Sequence, residues 1–91
     1  MKKPIVNVLI STYNGEKYLS ILLDSLLKQS DVEIYIIIRD DGSKDATVNI
    51  IKKYIINNKN ITLVQGKNLG YARSFWELIK LAPSSDYYAF C

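Results

Sequence analysis

Apolar and polar positions along this chain fall into blocks whose period switches back and forth. Ile5-Val6-Asn7-Val8-Leu9-Ile10 is a nearly unbroken apolar run rich in β-branched residues, as expected of a strand buried on both faces. Tyr13-Asn14-Gly15 interrupts it. Leu19, Leu22, Leu23, Leu26 and Leu27 then recur at the spacing of one helix face. A second strand is predicted from about Glu33 to Arg39, around the apolar run Ile34 to Ile38. Beyond Asp40-Asp41-Gly42, the residues Thr47, Ile50, Ile51, Tyr54 and Ile55 repeat the helical spacing, with Ser43 or Asp45 placed to cap that helix. Asn57-Asn58-Lys59-Asn60 is a turn cluster, Ile61 to Val64 a short third strand, and Asn68-Leu69-Gly70 a loop. Ala72, Phe75, Trp76 and Ile79 predict a third amphipathic helix that stops near Pro83, with Phe75 and Trp76 in the core. Asp86 to Cys91 predicts a fourth strand.

The order is therefore β-α-β-α-β-α-β. Strands alternating with helices imply βαβ units, so the expected class is α/β: a three-layer α/β/α, Rossmann-like parallel sheet. No repeat, linker or low-complexity segment divides residues 1–91, and the chain reads as part of one domain. Its last apolar strand has no closing turn or helix after it. An exposed strand edge of that kind invites pairing, so the domain is expected to be incomplete at its C-terminus and prone to self-association.

Composition narrows the chemistry. A hydrophobic fraction of 48% in 91 residues supports one modest core and excludes a disordered chain. The net charge of +3 comes from scattered lysines, which form no nucleic-acid stripe. One cysteine and no histidine leave no basis for a disulfide framework or a transition-metal site. A reduced, cytoplasmic setting follows, with the inner face of a membrane as the alternative location. The apolar stretch after Met1-Lys2-Lys3-Pro4 is short and contains Asn7, which suits a strand better than a signal peptide or a membrane span.

Candidate chemistry gathers at the predicted strand ends, where ligands bind in open parallel sheets. Two adjacent carboxylates, Asp40 and Asp41, repel each other and cost more desolvation than a simple turn requires. Ionised, they accept hydrogen bonds from hydroxyl and imide donors. The bland reading assigns them to a turn and a helix cap. Tyr13, just past the first strand, can stack on a planar base or pack over the first helix. Arg73, near the start of the third helix, can meet a phosphate or be an ordinary surface arginine. Neither G-x-G-x-x-G nor a P-loop sequence occurs, and without histidine there is no Ser/His/Asp or Cys/His constellation.

Taken together, Val8-Leu9-Ile10-Ser11-Thr12-Tyr13-Asn14, Tyr18-Leu19, Leu26-Leu27-Lys28-Gln29, Ile38-Arg39-Asp40-Asp41-Gly42-Ser43-Lys44-Asp45-Ala46-Thr47 and Asn68-Leu69-Gly70 resemble the family 2 glycosyltransferases of the GT-A fold, including the bacterial rhamnosyltransferase-type members. The resemblance implies the N-terminal, nucleotide-sugar-binding half of an inverting enzyme acting in polysaccharide biosynthesis. Ser11 and Tyr13 would lie against the nucleobase, Asp41 would bind the base, and Asp40 would support it or reach the ribose. Thr12 and Arg73 are further carry-overs, although the spacing before Arg73 departs from the family's commoner glycine, three residues, alanine-arginine-asparagine. The partners implied are a nucleotide-diphosphate sugar and a glycan or lipid-linked acceptor. The full-length enzyme would use Mg²⁺ or Mn²⁺. No catalytic or metal-binding residue is expected within 1–91, so this stretch alone is expected to be inactive and to hold a nucleotide no better than about millimolar. The alternative is a non-catalytic, receiver-like or interaction module, since paired acids at a strand end also occur in Mg²⁺-holding phosphoacceptor sites.

Overall fold

The computed structural model describes residues 3–81 and 87–90. Four strands, β1 (Ile5–Thr12), β2 (Glu33–Asp40), β3 (Ile61–Gln65) and β4 (Tyr87–Phe90), alternate with three helices, α1 (Leu19–Leu27), α2 (Thr47–Asn57) and α3 (Tyr71–Leu81). All pairings are parallel, in the spatial order β3-β2-β1-β4. The chain steps outward from β1 to β3 and then returns to the other side of β1. The order therefore reverses at β1, and ligands in such sheets bind outside the strand ends at that reversal.

The pleat sorts each strand's side chains onto two faces. Val8 and Ile10 of β1, Ile36 and Ile38 of β2 and Ile61 of β3 meet Leu19, Leu23 and Ile51 from α1 and α2 in the main core. The predicted periodicities of these two helices place their buried stripes correctly: Leu22, Leu26, Leu27, Ile50, Tyr54 and Ile55 pack around the same cluster. Tyr54 also ties the helices together, donating its hydroxyl to Asp24 Oδ1 (2.6 Å) and the Ser20 carbonyl (3.2 Å).

On the opposite face, among the described residues, Leu9 and Ile37 pack with Leu78 of α3. Here the structure corrects the sequence reading. Trp76 is not in the core; it is 60% exposed, and Ile79 is exposed as well. Among the described side chains of α3, the buried ones are Ser74 and Leu78, one turn apart. The helix has two adjacent apolar arcs, and on the face turned to the sheet Ser74 bonds to Ser11 and Arg39. The side chain of Phe75, the predicted stop near Pro83, and Asp86 and Cys91 of the predicted last strand lie outside what is described. Because α3 covers only part of this face, a groove of about 580 Å³ remains over the amino-terminal half of the sheet, lined by Ile5, Tyr35, Ile37, Thr62, Val64 and Leu81 among others. It lies away from the strand tips that carry the candidate chemistry.

Candidate functional site

The carboxyl ends of β1 and β2 lie side by side, with Ser11 opposite Arg39 and Thr12 opposite Asp40. The register continues past the strands, where the Asp41 amide donates to the Thr12 carbonyl at 2.8 Å. The β1–α1 loop and the β2–α2 loop are then stitched together. The Asn14 amide donates to Ser43 Oγ, and the Lys44 amide donates back to Asn14 Oδ1, both at 2.8 Å. The Gly15 amide donates to Thr47 Oγ1 (2.8 Å), and the Glu16 amide to Asp45 Oδ2 (3.3 Å). Asn14 adopts φ +51°, a left-handed conformation that asparagine tolerates better than most residues. Asp45 Oδ1 accepts from both the amide and the hydroxyl of Thr47, satisfying donors at the start of α2.

The two adjacent acids do different work. Asp40 is buried on the α1/α2 side. Its Oδ1 accepts from Thr12 Oγ1 (2.8 Å) and Ser43 Oγ (2.6 Å), and its Oδ2 accepts from the Ser43 amide (2.8 Å). It fastens β1 to the loop after β2. Asp41 faces the other way. Its Oδ1 accepts from Arg39 Nη1 (2.6 Å) and the Leu69 amide (2.8 Å), and its Oδ2 accepts from the Gly70 amide at 3.1 Å. Burial pushes the Asp41 carboxyl pKa up, but the Leu69 amide, Arg39 and the Gly70 amide outweigh it, and the group sits below the usual carboxylate range. It is an ionised acceptor at neutral pH.

The six sequence candidates thus separate. Tyr13 follows β1 and is 45% exposed at the reversal point of the sheet. Asp41 follows β2, with its amide bonded to the Thr12 carbonyl, and is only 4% exposed, its carboxylate held by the Leu69 and Gly70 amides. Asp40 and Thr12 are buried and bonded to each other. Ser11 is buried and donates to Ser74 Oγ of α3 (2.6 Å). Arg73 lies exposed near the start of α3.

Two site residues escaped the sequence reading, Arg39 and Ser74. Arg39 Nη1 also donates to Ser74 Oγ (3.0 Å), and Nη2 donates to the Lys67 carbonyl (3.1 Å). The signal available was Arg39 itself, a charge directly following the apolar run Ile34 to Ile38. Gly66 accommodates it: a Cβ there would run into the Arg39 guanidinium at Nη2.

Among the described residues, no three His, Cys, Asp or Glu side chains gather into a group that could hold a metal ion. Nor is any described helix long and apolar enough to cross a membrane.

Comparison with known proteins adds four findings. The family model described as "Glycosyl transferase family 2" matches residues 7–91. The putative glycosyltransferase EpsH of Bacillus subtilis is 34% identical over 95 aligned positions, covering 96% of this chain and 28% of that protein. Among solved structures, residues 1–349 of Staphylococcus aureus TarS superpose with a TM-score of 0.83 at 32% identity, covering 99% of this chain and 27% of that one. The Pyrobaculum calidifontis mannosyltransferase PcManGT, solved with GDP-Man and Mn²⁺, superposes at 0.79 with 22% identity over 91% of this chain and 26% of its own, a likeness of fold. The chain spans just over a quarter of EpsH and of each of the two solved chains.

Proposed function

This chain belongs to glycosyl transferase family 2, and we propose that the tips of its β1 and β2 hold the nucleoside of a nucleotide-diphosphate sugar. One juxtaposition carries the reading. An exposed aromatic ring, Tyr13, follows β1 at the point where the strand order reverses, and a carboxylate kept ionised, Asp41, begins the loop after the neighbouring strand. The ring offers a stacking surface that any base can use. The carboxylate accepts hydrogen bonds and donates none, so it suits a base with an imide N–H or a ribose hydroxyl. Oδ1 of Asp41 already serves two donors, whereas Oδ2 serves only the Gly70 amide, its longest contact. The incoming N–H takes its place at Oδ2, and the exposed 68–70 loop yields to admit it. Asp40, Thr12 and Ser11 act behind this surface as scaffold, and Arg73 is placed at the α3 end where it can attract the diphosphate.

For the whole protein we propose transfer of the sugar, with inversion at the anomeric carbon, to a hydroxyl of a glycan or lipid-linked acceptor. A divalent cation, Mg²⁺ or Mn²⁺, would steady the departing diphosphate. No step of that transfer is assigned to the residues described.

Tyr13→Ala tests the stacking role. Loss of one base–aromatic stack costs about 1–3 kcal/mol, which is about 5- to 150-fold in dissociation constant. Uridine, thymidine or guanosine diphosphate, whichever binds, is expected to weaken by that factor in calorimetry, with an unchanged melting temperature because the ring is half out of the fold. Equal affinity for the wild type and the variant would remove Tyr13 from the site.

A further inference from the structure

Arg39 is 5% exposed in the sheet interior, between Ser11 of β1 and Val64 of β3. Burying a guanidinium is costly, and a well-packed apolar side chain at such a position is often neutral or more stabilising. Holding β2 in place therefore does not explain a charge there. Its contacts suggest what does. From one fork it reaches Asp41 Oδ1 (2.6 Å), Ser74 Oγ (3.0 Å) and the Lys67 carbonyl (3.1 Å). Ser74 in turn accepts from Ser11 (2.6 Å). One connected set of bonds thus joins β1, β2, α3 and the 66–70 loop, and its end point is a single oxygen of Asp41.

We propose that Arg39, seconded by Ser74, is a positioning residue of the nucleoside site: it commits Asp41 Oδ1 to the interior and so presets Oδ2, which holds only the longer bond from the Gly70 amide, as the acceptor offered to a ligand's N–H or O–H. The proposal rests on the reading of the site as a nucleoside cradle. With Oδ1 held by Arg39 and the Leu69 amide, the carboxylate cannot rotate to share its two oxygens equally. Arg39 also holds the loop that covers the site, through the Lys67 carbonyl, while Gly66 leaves space for the guanidinium. Among the described residues, the charged neighbours of Asp41 are few. On β2 they are Arg39 and Asp40, the latter tied to Thr12 and Ser43 on the other face. The 66–70 loop presents the Lys67 carbonyl and the Leu69 and Gly70 amides, and the Lys67 side chain is among exposed atoms. From α3 comes the Ser74 hydroxyl, with Arg73 exposed, and from β1 the hydroxyls of Ser11 and Thr12. Arg39 is therefore the dominant cationic influence on that carboxylate.

The test compares wild type, Arg39→Met, Arg39→Lys and Ser74→Ala. The Asp41 side-chain carboxyl is followed by ¹³C NMR against pH, and exchange of the Leu69 and Gly70 amides is followed without nucleotide. The dissociation constant of the diphosphate that binds wild type is then measured across pH. Arg39→Met is expected to raise the Asp41 midpoint by about one pH unit, a tenfold change in its ionisation constant. The same variant should speed exchange of both amides and move the acid limb of nucleotide binding upward with the carboxyl. Arg39→Lys is expected to restore the midpoint but not the affinity, because an ammonium lacks the planar fork. Ser74→Ala should weaken binding while leaving the midpoint near wild type. A folded Arg39→Met chain with wild-type midpoint, exchange and affinity overturns the proposal. If Arg39→Met does not fold, Arg39→Lys and Ser74→Ala decide: wild-type affinity in both overturns it, and weakened affinity in both supports it. If wild type takes up none of the three diphosphates, the nucleoside reading fails by itself. Carboxyl titration and amide exchange then still show whether Arg39 sets Asp41.

Discussion

Asp40→Ala is expected to bring the chain to the edge of unfolding. The carboxylate is buried and accepts three hydrogen bonds, from the Thr12 hydroxyl, the Ser43 hydroxyl and the Ser43 amide. Truncation removes all three and leaves their donors without an acceptor. A hydrogen bond to a charged group is worth about 1.5–3 kcal/mol, and an orphaned buried donor costs about 1–3 more. These contributions overlap within one network, so a total of about 3–5 kcal/mol is the reasonable sum. A domain of this size has only about 5–10 kcal/mol to lose. The damage would also reach the site, since Ser43 is bonded to Asn14 and holds the two loops together. Asp40→Asn should fall between, because an amide keeps one acceptor oxygen but turns an NH₂ group toward donors. Urea denaturation measures this directly. An Asp40→Ala midpoint equal to wild type would mean that these contacts do not hold the tips together.

Leu78→Ala is the second large effect expected. Leu78 is fully buried, and among the described residues it packs with Leu9 and Ile37 beneath α3. Truncating a buried leucine costs about 2–5 kcal/mol, more where the site cannot collapse around the gap. A rigid sheet on one side makes collapse poor here. Loosening α3 would also carry Ser74 away from Arg39 and Ser11, so nucleotide binding should weaken with stability. Trp76→Ala, two residues earlier, is expected to stay within about 0.5 kcal/mol of wild type, as for other exposed substitutions. Thermal melts of the two variants give the comparison. A greater loss from Trp76→Ala than from Leu78→Ala would put the helix the other way round on the sheet.

That contrast shows what the sequence did and did not reveal. The strands and the first two helices were legible because their apolar periods are clean: Leu19, Leu23 and Ile51 fall on the buried faces their spacing predicts. In α3 two apolar arcs lie side by side, and Trp76 is the most conspicuous hydrophobe on the wrong one. What settled the orientation was a polar contact, Ser74 with Ser11 and Arg39, which hydrophobic periodicity does not register. The acids posed a related problem. Asp40 and Asp41 look equivalent in the sequence, but the pleat turns consecutive side chains to opposite faces. One is bolted to Thr12 and Ser43, and the other meets Arg39 and the 69–70 amides. The stitching of Asn14 to Ser43 and of Gly15 to Thr47 joins residues about thirty positions apart, beyond the reach of any local pattern. It gives a physical reason why the Ser11-Thr12-Tyr13-Asn14 and Asp40-to-Thr47 segments occur together: each supplies hydrogen-bond partners to the other. Arg39 was legible only as an anomaly, a charge placed where an apolar residue would pack as well.

The most direct test of the nucleoside site is an amide NMR titration of the chain with uridine, thymidine and guanosine diphosphates up to about 10 mM, a range set by the millimolar binding expected of so few contacts. The account predicts that at least one of them shifts the amides of Tyr13, Asn14, Asp41, Leu69 and Gly70 together, on a single saturable curve, while the groove around Tyr35 and Val64 stays silent. Shifts confined to that groove, or none at all from any of the three, would contradict it.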